Sequence, residues 1–260
     1  MVEYSFSVYH LEYFLLIMVR TVGLIALAPV FGSRTVTRRV KIFLSVSIAL
    51  VIYLQYPYIP LNYTNFTEYF ILLIKELVVG LSMGFTSTIT LTIIGMAGQL
   101  IDREIGFSMV ANFDASMNSQ TTITAELYNV LVTVILLCSN LHYFIISALA
   151  DSFRLIPLGK ITFDSGVIYD VMVQYLENYF VVSLRISLPI MISTILLNIV
   201  LGVMTKSAPQ MHLFSIGIQI KIMLGLTVLF ITMTFLPNIT EFIYKQMQEI
   251  ITELLKAFYR

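Results

Sequence analysis

Seven ionisable side chains lie inside long apolar runs: Glu12, Arg20, Lys75, Glu76, Glu126, Arg185 and Lys221. Placing one such group at a bilayer centre costs about 2.5–3.5 kcal/mol on insertion scales. Seven of them impose too large a penalty on a chain that meets lipid on every side. They are expected to face other protein, either within the chain or in partner chains, or to line an aqueous path. Small residues point the same way. Glu76, Gly80 and Gly84 recur at i, i+4 and i+8, as do Gly217, Lys221 and Gly225, so each trio shares one helix face. Glycines at this spacing allow close backbone approach, and the charge on each stripe then points into a helix–helix contact. Packing within a small bundle is the simpler reading of each stripe, and the two stripes could also pair with one another.

Catalytic chemistry finds little to work with. The chain has no HExxH, P-loop or CxxC pattern. Asp102, Arg103 and Glu104 are sequence neighbours, which do not face each other on a helix, and they read as a solvated helix end. His142 reads as a packed or interfacial residue rather than a ligand. His10, His142 and His212 are far apart, and Cys138 is the only cysteine, which excludes an intrachain disulfide and a cysteine metal cluster. An intramembrane enzyme would need a nucleophile–base pair that cannot be assigned. No cofactor, no metal and no enzymatic activity are expected.

The elements that position these residues follow from composition. Of 260 residues, 58% are hydrophobic and 12% charged, and the mean hydropathy is +0.90. A soluble domain carries about 25% charged residues, so this chain is expected to be an integral membrane protein. Fifteen basic and fifteen acidic residues cancel, leaving no basic field for nucleic acid. Trp is absent, so Tyr supplies the interfacial anchors. The first ten residues lack the basic region and cleavage site of a secretory signal, and the first apolar segment is expected to be retained.

A crossing needs about 20 mostly apolar residues. Six segments qualify: 11–31, 40–59, 66–99, 123–150, 171–204 and 213–236. The third and fifth exceed a single crossing and are expected to tilt, kink or project, with a bend at Pro189 in the fifth. The tail 238–260 alternates Ile239, Phe242, Ile243, Met247, Ile250, Ile251, Leu254 and Phe258 with charged residues at helical spacing, the pattern of an amphipathic helix. The expected architecture is all-α: one integral-membrane domain over 1–260, with about six long hydrophobic helices in kinked hairpins. The positive-inside count does not orient it. Arg34, Arg38, Arg39, Lys41, Arg103 and Lys206 fall on one side, against Arg154, Lys160, Lys245, Lys256 and Arg260 on the other.

The connection 106–122 reads GFSMVANFDASMNSQTT. Gly106 can release the preceding helix. Phe107, Met109, Val110, Phe113 and Met117 are too apolar for a solvated loop and should be buried against something. Methionine adapts to irregular surfaces, so such a loop could close a pore without fixed complementarity. Composition alone favours a loop docked on its own bundle.

Two motifs shift that weighting. One runs Lys206-Ser207-Ala208-Pro209-Gln210-Met211-His212-Leu213-Phe214-Ser215-Ile216-Gly217, followed by Lys221 and Gly225. The other runs from Glu76 through Gly80, Gly84, Gly95, Gly98, Gln99, Asp102, Gly106 and Phe107 to Asp114, with Arg20, Pro29 and Phe31 fitting near the start. Together they resemble the FliR family of flagellar export-gate proteins, whose injectisome counterparts are SctT and SpaR. The resemblance covers nearly the whole chain, and PQMxxFxxGxxxK is its specific string. The chain departs from the family pattern at Asp114-Ala115, where Asp-Pro is common, at His212, where Asn is common, and near Thr121–Thr124, where a second proline is usual.

The resemblance implies a subunit that joins FliP and FliQ in a helical hetero-oligomer, with steep hairpins standing partly out of the bilayer. It implies a mid-chain loop, Gly106, Phe107, Met109, Val110, Phe113, Asp114 and Met117, that helps plug the resting pore. The buried charge and packing positions would be Arg20, Glu76, Gly80, Gly84, Glu126, Arg185, Lys206, Pro209, Gln210, Phe214, Gly217 and Lys221. FlhB and FlhA would be neighbours in the bacterial inner membrane at the flagellar basal body, and unfolded flagellar subunits the cargo. The alternative is an ion-coupled secondary transporter, although no convincing repeat relates the two halves.

Overall fold

A computed structural model of the chain describes residues 8–33, 36–61, 63–107, 122–207 and 213–259. The described residues form eight helices and no strand: α1 Val8–Leu27, α2 Arg38–Gln55, α3 Phe66–Ile105, α4 Ile123–Cys138, α5 His142–Leu155, α6 Ser165–Ser207, α7 Leu213–Met233 and α8 Leu236–Ala257. The molecule is an all-α polytopic membrane protein.

Local chemistry sets the helix ends. Thr64 and Glu68 close the start of α3, where the Glu68 carboxylate accepts from the Thr64 amide at 2.7 Å and hydroxyl at 3.0 Å. Asp164 does the same for α6, accepting from the Gly166 and Val167 amides. Pro57 follows the extended Tyr56 at the end of α2, and Pro157 follows the extended Ile156 at the end of α5. Asn140, at φ +57°, makes the left-handed step that breaks α4 from α5.

α1, α3 and α6 are each long and apolar enough to cross a membrane. Two bent pairs qualify only as broken spans or re-entrant hairpins: α4 with α5, at 67°, and α7 with α8, at 64°. The expected crossing at 123–150 is therefore interrupted at 139–141. The one at 213–236 meets a sharp corner after Met233. The expected crossing at 40–59 is not met, because α2 opens with Arg38, Arg39 and Lys41, which leaves only residues 42–55 of the helix free of charge. α3 has 40 residues and α6 has 43, with α6 continuous through Pro189. At 1.5 Å per residue they measure about 60 and 65 Å, twice the hydrocarbon thickness of about 30 Å.

The chain divides into two compact units. The first comprises Met1–Thr90, Asn140–Tyr175 and Tyr244–Arg260. Its core joins Tyr13, Leu16 and Ile17 of α1 and Val79 and Met83 of α3 to Ile145 and Leu149 of α5. Met247, Ile251, Leu254 and Phe258 of the C-terminal segment pack on the same cluster, while Phe242, read from the same period, stays exposed. The second comprises Leu91–Ser139 and Leu176–Ile243, with a core of Ile93, Ile94, Ile101 and Ile105 of α3, Tyr128 and Val132 of α4, Val182 and Ile190 of α6, and Leu229 of α7.

Candidate functional site: an ion-pair node and a clamped loop base

In the first unit, Arg20 of α1 meets Glu76 of α3. Both side chains have 0% exposure, and the guanidinium N–H groups donate to Glu76 Oε2 at 2.6 Å. A bare buried pair is costly, because desolvation offsets most of the attraction unless the remaining hydrogen-bonding positions are filled. Here they are filled. Arg20 also donates to the Ser152 carbonyl at 3.1 Å, the Ser152 hydroxyl at 3.3 Å and the Ile156 carbonyl at 3.3 Å. Those carbonyls close the C-terminal end of α5, where the helix dipole favours a cation. The guanidinium carbon also lies 4.4 Å from the centre of the Phe153 ring. Glu76 Oε1 accepts from the Gly159 amide at 3.2 Å, at a turn where Gly159 has φ +77°.

The stripe that carries Glu76 brings α1 and α3 close. A Cβ on Gly80 would sit 2.1 Å from the Arg20 carbonyl oxygen, and one on Gly84 would sit 2.6 Å from that of Leu24. This is packing within the chain, the simpler of the readings, and Glu76 pairs with Arg20 rather than with the Lys221 stripe. Other cations of the unit also find acceptors: Lys75 donates to the Ile161 carbonyl at 3.2 Å and Lys41 to that of Gly32 at 2.7 Å. The Glu12 carboxylate accepts from the Tyr63 hydroxyl, and that bond pushes the Tyr63 pKa up to about 12.

In the second unit, the connection that opens at Gly106 is tied at its base. Asp102, in the last turn of α3, is fully buried and caps the N-terminus of α4. Its Oδ2 accepts from the Thr124 amide at 2.8 Å and its Oδ1 from the Thr124 hydroxyl. The reading of Asp102 as part of a solvated helix end is corrected here: it supplies the cap that Thr122, with no side-chain cap bond, does not. Gly98 permits the approach, since a Cβ there would lie 2.4 Å from the Ala125 Cα. Thr194 of α6 donates to Glu104 at 3.2 Å. Gly106 has φ +99°, no described residue lies within 4 Å of where its Cβ would go, and Phe107 packs against the core of this unit.

The remaining positions divide clearly. Met109, Val110, Phe113, Asp114, Met117, Pro209 and Gln210 lie outside the described residues, and Phe214 falls in the first turn of α7. Gly217 is buried beside Leu201, and Gly225 is buried against Ile105. Lys221 is half-buried, whereas Glu126, Arg185 and Lys206 are exposed on this chain. Sequence reasoning thus selected Arg20 and Glu76 but not Ser152, Phe153 and Gly159, which lie about 80 to 130 residues away and carry no periodic signal. It also missed Asp102–Thr124. Chemically, both arrangements hold backbone in place. Among the described residues, no group of three His, Cys, Asp or Glu side chains could hold a metal.

The family model for bacterial export proteins, family 1, matches residues 11–247. The chain belongs to that family. The flagellar biosynthetic protein FliR of Pectobacterium carotovorum is 29% identical over 239 residues, covering 91% of this chain and 90% of that protein. FliR of Buchnera aphidicola (subsp. Acyrthosiphon pisum) is 25% identical over 236 residues, covering 90% and 89%. The surface presentation of antigens protein SpaR of Shigella flexneri is 27% identical over 167 residues, covering 64% of each chain. Both Arg20 and Glu76, and the Asp102–Thr124 clamp, fall within the part matched by the export-protein family.

Proposed function

We propose that the chain is a non-enzymatic subunit of the flagellar protein-export gate in the bacterial inner membrane, at the basal body. As one integral-membrane domain it joins FliP and FliQ homologues in a channel for unfolded flagellar subunits, beside FlhB and FlhA. The observation that carries this reading is the end-to-end similarity to flagellar FliR proteins, over about nine-tenths of both lengths. Helices of 40 and 43 residues fit a subunit whose hairpins are not simple crossings. The segment from Gly106 to Met117 seals the resting pore, and the Asp102–Thr124 clamp fixes where that segment begins and ends. The buried charges serve packing, not turnover.

The test is co-expression with the FliP and FliQ homologues of the same cell. A tagged chain is expected to bring both down as one detergent-stable complex. Removing the gene should abolish export of hook and filament subunits. Normal export without it, or a chain that purifies alone, would refute the proposal.

A further inference from the structure

The connection from α5 to α6 is partly buried in the first unit. Ile156, Leu158 and Ile161 are 0%, 7% and 2% exposed, and they share one apolar cluster with Leu254, Leu255 and Phe258 at the end of α8. Buried backbone outside a helix needs partners for its polar groups. Residues 156–162 find them on three helices. The Ile156 carbonyl accepts from Arg20 of α1 at 3.3 Å. The Gly159 amide donates to Glu76 of α3 at 3.2 Å, and the Ile161 carbonyl accepts from Lys75 of the same helix at 3.2 Å. A turn closed by the Lys160 amide on the Pro157 carbonyl aims the Gly159 amide, and it needs the φ of +77° that glycine takes without strain.

The fourth anchor comes from the end of α8. The Thr162 amide donates to the Phe258 carbonyl at 3.0 Å. The Phe258 ring is 2% exposed and meets Phe163 edge-on, with ring centres 5.6 Å apart. The four anchors are not equivalent. Arg20, Glu76 and Lys75 are ionised groups that water would solvate if the segment lifted, so those bonds add only a modest net gain. The Phe258 ring gains nothing from water, and its burial holds the segment down. Arg20 and Glu76 both touch this segment, so the pair stays dry on that side only while the segment is seated.

We propose that residues 156–162 form a strap across the Arg20–Glu76 pair, and that Phe258 is the clasp that keeps the strap shut. Opening the clasp admits water to the pair while α1 and α3 remain helical. The device lies wholly within the first unit. It goes beyond the export-gate reading and does not depend on it.

The test uses the full chain in detergent, together with any subunits that purify with it. Cys138 is exposed and is the only cysteine, so Cys138→Ser gives a silent background for Leu158→Cys. With Phe258 intact, the thiol of Leu158→Cys is expected to resist a water-soluble maleimide. Adding Phe258→Ala should speed its labelling, and hydrogen exchange at the Gly159 amide, about tenfold or more, as for a local opening made easier. Phe258→Leu, which keeps most of the apolar burial, should stay near wild type. Lys75→Met frees the strap without touching the buried face of α8, and it should speed exchange at Thr162 as well as at Gly159. This second variant carries the test if Phe258→Ala does not fold. Exchange that quickens only in the last turn of α8, or equally across the whole unit, would overturn the inference, as would a Leu158→Cys thiol that stays protected in Phe258→Ala. Each of those results would leave the export-gate reading intact, because that reading is tested by recovery of the complex.

Discussion

Arg20 and Glu76 stand 56 residues apart in sequence and 2.6 Å apart in space, both at 0% exposure. Removing one member of such a pair leaves a buried charge without its partner, which costs about 3–5 kcal/mol. Arg20→Ala and Glu76→Ala are each expected to lower the melting temperature of the detergent-solubilised chain and to reduce recovery of the proposed complex with FliP and FliQ homologues. Arg20→Met combined with Glu76→Leu should cost less than either alanine variant. Thermal unfolding of the four proteins checks this, and additive losses in the double variant would contradict it.

Gly80 offers a steric test of the same contact. A methyl there would overlap the Arg20 carbonyl, which as backbone cannot move aside, so Gly80→Ala should cost about 1–3 kcal/mol or more. No described residue lies within 4 Å of where a Cβ on Gly202 of α6 would go. Gly202→Ala is therefore expected to leave the chain as stable, or to gain up to about 1 kcal/mol of helix propensity. Melting curves of the two variants should move in opposite directions or differ widely.

Asp102 caps α4 from another helix. Asp102→Ala leaves the buried Thr124 amide unpaired and should cost about 1–3 kcal/mol. The loss should be local: hydrogen exchange is expected to speed up over the first turn of α4, with the Arg20 node unchanged. Asp102→Asn, which keeps an acceptor oxygen, should lose less. Uniform acceleration across both units would argue against a local clamp.

Deleting residues 107–117 is expected to raise ion leakage through the assembled, resting complex. The measurement is conductance of the reconstituted gate. Unchanged conductance would count against a sealing role for this segment.

The sequence announced some of this and concealed the rest, for physical reasons. Long apolar runs are a local signal, so α1, α3 and α6 were legible, and so was the buried face of α8 from Met247 to Leu254. The break at Asn140 was not, because one left-handed residue hardly alters hydropathy averaged over a window. The two glycine stripes could be read as close contacts, yet which helix each would meet depends on the fold. Glu76 had several possible cations, and only tertiary structure selects Arg20. Asp102 looked like one of three adjacent charges at a helix end, since nothing local tells a carboxylate in water from one that caps a helix beginning 21 residues later.

The guanidinium of Arg20 has no idle N–H: its nitrogens are engaged by a carboxylate, two carbonyls and a hydroxyl. A solute ion could bind there, or a proton hop through, only by dismantling the junction of three helices. The node is a keystone rather than a relay, which weighs against coupling of transport to ion flow at this pair.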